Sequence, residues 1–240
     1  MKKPPLLLLH GALGSSETFL PLKNFLDGDF DLHWLDFEGH GKASPGPDRP
    51  FRMEYFAENV LAYMKENHLE HERPRVLGYS MGGYVALLLA KDHPGLFHSV
   101  FTLGTKLFWT DEAGKREARF LDPEKMEKKV PHFAHNLKQR HGEDRWRPVV
   151  EKTAELLLHL GGHDLLKEES LKEINIPVRI GVGDRDQMGG MENSLKALLS
   201  LTRGELAVLS GTDHPLELVD FSLLSSSIRQ FFGDSFSEKK

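Results

Sequence analysis

The sequence contains no cysteine, which excludes disulfide bonds and thiolate metal sites. It also lacks an excess of basic residues. The 31 lysines and arginines are outnumbered by 36 acidic residues, so the formal net charge is -5 and no basic field attracts nucleic acid. These two absences disfavour a disulfide-stabilised module, a zinc-thiolate domain and a nucleic-acid-binding protein.

Long hydrophobic runs are absent as well, and no run approaches the length that spans a bilayer. The leucines at 6–9 follow Met1-Lys2-Lys3 and imitate the start of a signal peptide. The run ends at His10-Gly11, however, and no cleavage site of small residues follows it. We therefore expect a first core strand here, and a cytoplasmic protein with no membrane partner.

The most informative feature that is present is a serine in a distinctive setting, Gly78-Tyr79-Ser80-Met81-Gly82. A strand-like run, 74–77, precedes it, and an apolar helix-like run, 83–90, follows it. A G-x-S-x-G between a strand and a helix predicts a nucleophile elbow, the tight turn that exposes a serine hydroxyl at the edge of a sheet. Glycine is expected on both sides because the turn brings backbone and helix close together.

A nucleophilic serine needs a base and an acid that orients the base. His214 follows the strand-like run Glu205–Leu209 and is the candidate general base that takes the Ser80 proton. Asp184 and Asp186 both follow the β-branched run at 176–183, and either could orient the imidazole.

In their order along the chain, these motifs resemble those of the α/β-hydrolase superfamily, in which serine, acid and histidine follow one another. The acid loop of that family commonly runs Gly-x-x-Asp, and Gly183-Asp184-Arg185-Asp186 matches it. The resemblance therefore implies that Asp186 is the acid and that Asp184 is a loop residue that caps a turn.

Two further motifs extend the resemblance. The run Leu6–Gly14 is similar to the family's strand and oxyanion loop, which implies that the backbone N–H groups of Ala12 and Met81 stabilise the developing alkoxide. His10 is then a structural residue that ties the loop down. The stretch Asp36–Ser44 is similar to the Asp-x-x-Gly-x-Gly-x-Ser turn of the family, whose role is architectural.

Strand and helix signals alternate along most of the chain, which predicts a parallel sheet covered on both faces. We expect a single α/β-hydrolase domain with a trimmed, mostly parallel six-stranded sheet flanked by helices. The strand signals are Leu6–His10, Phe30–Asp36, Arg75–Tyr79, Ser99–Gly104, Val178–Val182 and Glu205–Leu209. The helix signals are Glu17–Leu26, Met53–Asn67, Met81–Asp92, Met191–Leu201 and Pro215–Phe231.

Strand signals stop between Thr105 and Leu171, where charge rises and amphipathic helical patterns take over. We expect a helical cap insertion at 106–170, with a core formed by 1–105 and 171–240. A cap excludes water and restricts the shape of substrate that the site accepts. The candidate pocket residues are Leu13, Tyr79, Phe108 and Trp109.

The resemblance implies a serine hydrolase that cleaves a small-molecule carboxylic ester or thioester through an acyl-enzyme, without a cofactor. The same triad could instead serve a lyase, a carbon–carbon hydrolase or a haloperoxidase, and some relatives are non-enzymatic receptors. Tyr84 stands where the lyase of menaquinone synthesis usually has arginine, and Ser80 stands where a dehalogenase has aspartate. The complete Ser-Asp-His set argues against a receptor.

Two histidine pairs have spacings that could serve a metal, but neither has a convergent carboxylate, so we expect no metal site. They are His132 with His135 and His159 with His163. The oligomeric state stays open.

Overall fold

The structure, a computed structural model, describes residues 2–44 and 48–234. Its centre is a sheet of six strands in the order β2-β1-β3-β4-β5-β6, and every neighbouring pair is parallel. This arrangement confirms the expected six-stranded parallel sheet, and each strand lies within two residues of its sequence signal. The strands are β1 Pro5–Leu9, β2 Asp31–Trp34, β3 Arg75–Tyr79, β4 Ser99–Leu103, β5 Val178–Gly183 and β6 Gly204–Leu209.

The leucine run of β1 shows why polar and apolar residues do not alternate in a strand at the centre of the sheet. Leu7 and Leu9 pack into the core on one face, and Leu6 and Leu8 pack into the core on the other face. Successive side chains of a strand point to opposite faces, so a strand covered on both sides is apolar throughout.

The described helices cover both faces of the sheet. Helices α2 and α3 pack together on one face, and α1 and α10 pack together on the other. None of the helices in the described parts of the chain is long and apolar enough to cross a membrane. The helices are α1 Leu20–Leu26, α2 Met53–Glu66, α3 Met81–Asp92, α4 Asp111–Ala118, α5 Pro123–Lys129, α6 Pro131–His141, α7 Trp146–Gly162, α8 Glu168–Leu171, α9 Met191–Ser200 and α10 Phe221–Asp234.

The helix predicted over Pro215–Phe231 is corrected by the structure. A short 3-10 turn, Leu216–Leu218, comes first, and α10 begins only at Phe221. The reason is Asp220, whose Oδ1 accepts the N–H groups of Ser222 at 2.8 Å and Leu223 at 3.2 Å and so caps the helix.

The first predicted helix, Glu17–Leu26, is divided in the same way. Its first turn is a 3-10 turn, Ser16–Phe19, and α1 begins at Leu20 with a proline in its first turn. Proline favours the start of a helix because its missing N–H would be unpaired there in any case.

Helices α4 to α8 lie between β4 and β5, in the segment for which a cap is predicted; we call residues 106–170 the cap segment. Thr110 caps α4 and Asp122 caps α5, each by accepting a backbone N–H three residues ahead. Helices α4 and α7 approach closely, since a Cβ on Gly114 would lie 2.5 Å from the carbonyl oxygen of Leu157.

Candidate active site

Ser80 lies in the turn between β3 and α3, at the carboxyl edge of the sheet. Its φ of 51° and ψ of -114° fall outside the regions that L-residues ordinarily occupy, so the turn holds it under strain. Close packing maintains this turn. A Cβ on Gly78 would lie 2.5 Å from the Cα of Gly83, and a Cβ on Gly82 would clash with the carbonyl of Leu9.

His214 lies beside Ser80, with 3.3 Å between its Nε2 and the Ser80 Oγ. On the opposite side of the ring, Nδ1 lies 2.9 Å from Oδ2 of Asp186 and 3.0 Å from Oδ1. The Nδ1–H therefore donates to the carboxylate and leaves Nε2 free to accept a proton. This arrangement allows the imidazole to take a hydroxyl proton while the carboxylate stabilises the imidazolium that forms.

Asp186 is held ionised inside the protein, with only 2% of its side chain exposed. Burial alone would raise the pKa of this carboxyl group. The hydrogen bonds from His214, Met188 and Gly189 outweigh burial and lower the pKa below its ordinary value. The two backbone N–H groups donate to Oδ1 at 2.9 Å and 2.7 Å.

Asp184 does not contact the imidazole. Its Oδ1 accepts the N–H of Thr212 at 3.1 Å, which ties the loop after β5 to the loop that carries His214. The side chain that faces His214 is thus Asp186 and not Asp184.

Tyr79 contacts both the backbone and the ring of His214. Its hydroxyl donates to the carbonyl oxygen of His214 at 2.9 Å, and the two rings lie 5.5 Å apart. Burial raises the pKa of Tyr79, so the phenol stays neutral and keeps its donor. The sequence suggested Tyr79 only as a pocket residue; no local pattern indicated this contact.

The loop of residues 10–14 passes beside Ser80, and a Cβ on Gly11 would lie 3.2 Å from the Ser80 Cβ. We call it the His10–Gly14 loop. Among the described residues, neither the N–H of Ala12 nor that of Met81 donates a hydrogen bond to the protein. Both N–H groups belong to residues that line the same cavity as Ser80, so both are available to a ligand there.

His10 holds this loop. Its Nε2 accepts the N–H of Phe37 at 3.1 Å, so its Nδ1 carries the proton and donates to the carbonyl oxygen of Gly11 at 2.8 Å. The same carbonyl accepts the N–H of Gly14 at 3.0 Å. His10 therefore has both ring nitrogens engaged with backbone and is unsuited to act as a second base.

Three fully buried histidines meet beneath the loop. The ring of His40 lies 5.2 Å from that of His10 and 5.7 Å from that of His141, which belongs to α6 in the cap segment. Burial lowers the pKa of His10 and of His141 to about 4, and it lowers that of His40 as well. All three imidazoles are therefore neutral at pH 7. No local pattern in the sequence predicts this cluster.

The cap segment contacts the loop at Leu13, which has a φ of 58°. The Leu13 carbonyl accepts a hydrogen bond from Arg140 at 2.8 Å and one from Nε2 of His141 at 3.0 Å. Arg140 also reaches Glu217, just beyond His214, at 3.1 Å. Sequence reasoning missed Arg140 and His141, because contacts across more than 120 positions leave no local pattern.

A cavity of about 710 Å³ opens beside Ser80 and His214. Its size falls within the usual range of small-molecule sites. The predicted pocket residues Leu13, Tyr79 and Trp109 line it, as do Ala12 and Met81. Just over half of the other lining side chains are apolar, among them Met53, Tyr84, Leu121, Met126, Leu156 and Leu157. The polar remainder includes the charged residues Lys106, Arg116, Glu117, Arg140 and Glu217.

Phe108 is the predicted pocket residue that does not line this cavity. Its carbonyl accepts the side-chain N–H of Asn193 in α9 at 3.3 Å, and Lys196 lies 4.4 Å from its ring. Phe108 thus packs between the cap segment and α9, while its neighbour Trp109 faces the cavity.

In the described parts of the chain, no three histidine, aspartate or glutamate side chains converge as metal ligands would. The rings of His159 and His163 stack on one another with 4.3 Å between centroids.

Comparison with known proteins agrees with the fold. Residues 4–180 match the family described as alpha/beta hydrolase fold. The chain belongs to this family.

Two similar proteins and one similar solved structure illustrate the likeness. Serine hydrolase BPHL of Homo sapiens is 38% identical over 111 residues, which cover 44% of this chain and 37% of that protein. Pimeloyl-[acyl-carrier protein] methyl ester esterase of Aeromonas hydrophila is 31% identical over 103 residues, which cover 42% of this chain and 38% of that protein. The chain thus spans little more than a third of the length of these curated relatives.

The solved structure of MenH from S. aureus has a TM-score of 0.80 at 19% identity and covers 99% of this chain and 96% of that one. At this identity the likeness concerns the fold alone.

Proposed function

We propose that this protein is a serine hydrolase that cleaves a carboxylic ester or thioester through an acyl-enzyme. The observation that carries the proposal is the line of hydrogen bonds from Ser80 Oγ to His214 Nε2 and from His214 Nδ1 to Asp186, beside an apolar cavity. Relatives named as a serine hydrolase and as a methyl ester esterase support the same chemistry.

In the first half of the reaction, Ser80 Oγ attacks the carbonyl carbon of the substrate and transfers its proton to Nε2 of His214. The carbonyl oxygen becomes an alkoxide, which the N–H groups of Ala12 and Met81 stabilise. The alkoxide collapses, the bond to the leaving alcohol or thiol breaks, and His214 returns the proton to that group. An acyl group now esterifies Ser80.

In the second half, water attacks the acyl-enzyme while His214 takes one of its protons. Collapse of the second tetrahedral intermediate breaks the bond to Ser80 Oγ, which recovers its proton from His214. Asp186 stays ionised throughout, because its lowered pKa keeps it a carboxylate facing the imidazolium.

The cavity favours an apolar acyl or alkyl group as the part of the substrate bound beside Ser80. Lining side chains such as Met53, Met126 and Leu156 offer no hydrogen-bonding group to a polar chain. Four large apolar side chains also line this cavity while remaining strongly exposed: Phe120, Val130, Phe133 and Met188. We infer that the apolar part of the substrate extends toward this rim.

A series of p-nitrophenyl esters from acetate to dodecanoate tests the proposal. We expect kcat/KM to rise with chain length up to the limit of the cavity, by roughly fourfold for each methylene buried, because each contributes about 0.8 kcal/mol. A fluorophosphonate should label the wild-type protein, and Ser80→Ala should abolish both labelling and turnover. A protein that neither hydrolyses any ester of the series nor takes the label would contradict a serine hydrolase.

A further inference from the structure

The backbone at Leu13 is held in a conformation that its side chain disfavours. A φ of 58° places Leu13 in the left-handed region, which is unfavourable for an L-residue other than glycine. Such a conformation persists only where the surroundings determine it. At Leu13 those surroundings include the end of a cap-segment helix.

Two donors from successive residues of α6 converge on one atom. Arg140 and His141 both donate to the carbonyl oxygen of Leu13, at 2.8 Å and 3.0 Å. His141 is fully buried, and its Nδ1 accepts the N–H of Gly41 at 2.9 Å, which fixes the ring with its Nε2–H toward Leu13. The Leu13 carbonyl is therefore anchored to the cap segment and not to the sheet.

This anchor reaches the proposed oxyanion donor through two peptide units. The peptide that carries the Leu13 carbonyl also carries the Gly14 N–H, which donates to the carbonyl oxygen of Gly11 at 3.0 Å. The Gly11 carbonyl belongs in turn to the same peptide as the Ala12 N–H. A peptide unit is planar and trans, so fixing its carbonyl fixes the direction of its N–H.

We propose that Arg140 and His141 are positioning residues, which hold the Leu13 carbonyl and thereby aim the Ala12 N–H at the reacting oxygen. The cap segment then contributes to the rate of the reaction and does more than shape the substrate. This inference rests on the proposed function for its catalytic part. The statement that the cap segment holds the loop is independent of it.

Lys152 provides a control within the same segment. It also donates to a backbone carbonyl across the interface, that of Arg49, at 3.0 Å. This contact involves neither the His10–Gly14 loop nor Gly41, whose N–H holds the His141 ring. A change at Lys152 therefore removes a contact between cap segment and core and leaves both donors to the Leu13 carbonyl in place.

The experiment compares Arg140→Met, Arg140→Lys and Lys152→Met in the full-length chain. Methionine keeps most of the unbranched stem of arginine and of lysine, so the packing changes little. The first measurement is amide hydrogen exchange at Gly14, followed by NMR without any ligand. We expect Arg140→Met to exchange at least tenfold faster there, and Lys152→Met to exchange at the wild-type rate.

The second measurement is the split between kcat and KM on the best ester. We expect kcat of Arg140→Met to fall roughly 10- to 100-fold with little change in KM, since outright loss of an oxyanion donor reduces kcat about 10²- to 10³-fold. Arg140→Lys should restore part of kcat. Lys152→Met should leave kcat unchanged.

Three results would overturn the inference: unchanged Gly14 exchange in Arg140→Met, equal acceleration in Lys152→Met, or a rise in KM alone, which would make Arg140 a substrate contact. If the wild-type protein neither turns over an ester nor reacts with a fluorophosphonate, the proposed function fails. The exchange data would still decide whether the cap segment holds the loop.

Discussion

The two sides of Ser80 are built in different ways. On the acid side, Asp186 receives hydrogen bonds from Met188 and Gly189 in its own loop, and Asp184 ties that loop to the one bearing His214. All of these residues follow strands of the sheet. On the opposite side, the His10–Gly14 loop is held by hydrogen bonds to its backbone carbonyls, one from the His10 side chain and two from the cap segment.

This contrast separates the parts of the site that form with the sheet from the parts that need the cap segment. The Ser-His-Asp side forms once β3, β4, β5 and β6 are paired, because its contacts lie within loops at one edge. The side that carries the Ala12 N–H requires α6 to be docked as well. Changes on the two sides should therefore have different signatures.

The largest effect is expected on the acid side. Ser80→Ala and His214→Ala should each reduce kcat by roughly 10⁴-fold or more, and combining them should add little, because the three residues act as a unit. Asp186→Asn should reduce kcat by less, since nucleophile and base remain in place. Single-turnover kinetics with the best ester measures all four variants. Losses at Ser80 and His214 that multiply would mean that the two side chains do not share a step.

The next effect concerns the side of the site that carries the Ala12 N–H, and it is a loss of stability at acidic pH. His10 and His141 have pKa values of about 4 in the folded protein, against about 6.5 when unfolded. As the pH falls below 6.5, the two histidines become protonated in the unfolded chain but stay neutral in the folded chain. The free energy of unfolding therefore falls with pH. Between pH 6.5 and 5 each histidine should remove about 2 kcal/mol.

His141→Gln isolates this contribution. Glutamine can still accept the N–H of Gly41 and donate to the Leu13 carbonyl, but it does not titrate. Urea unfolding at pH 7 and pH 5 should show a drop in stability about 2 kcal/mol smaller than in the wild-type protein. An identical drop in the two proteins would mean that His141 carries a proton in the folded state at pH 5.

The smallest effect is expected at Asp184, on the acid side. Asp184→Asn keeps an oxygen that accepts the N–H of Thr212, and it leaves the pair of His214 and Asp186 untouched. The variant should keep kcat near the wild-type value, which steady-state assays with the best ester would measure. A loss comparable with that of Asp186→Asn would show that the two loops on this side are coupled more tightly than their contacts indicate.

Much of the fold could be predicted from the sequence, because its signals are local. Each strand is an apolar run that ends in turn residues, and the fully buried run of β1 showed that both faces of the sheet are covered. The boundaries of α10 were wrong because Asp220 was not read as a helix cap. That signal was present in the sequence.

The candidate site likewise combines residues that local patterns predict with residues that they do not. Ser80, His214 and the two aspartates stand in motifs just after strands, so their neighbourhood followed from the order of those strands; their catalytic roles stay a prediction. Arg140 and His141 stand in no motif, and their partner Leu13 is more than 120 positions away. Only the docking of α6 brings them together. Phe108 and Trp109 are adjacent in sequence, and only the packing of α9 decided which of them faces the cavity.

Gly82 has a consequence for how the molecule loses activity on heating. Since it has no side chain, the first turn of α3 rests directly on the carbonyl of Leu9 in the second strand of the sheet order. We therefore expect the elbow and the centre of the sheet to open together, as one cooperative unit. Inactivation that begins at Ser80 should then coincide with global melting. Detachment of the end of α6 removes the contacts of the cap segment with the His10–Gly14 loop and leaves the sheet intact, so inactivation by that route should precede melting.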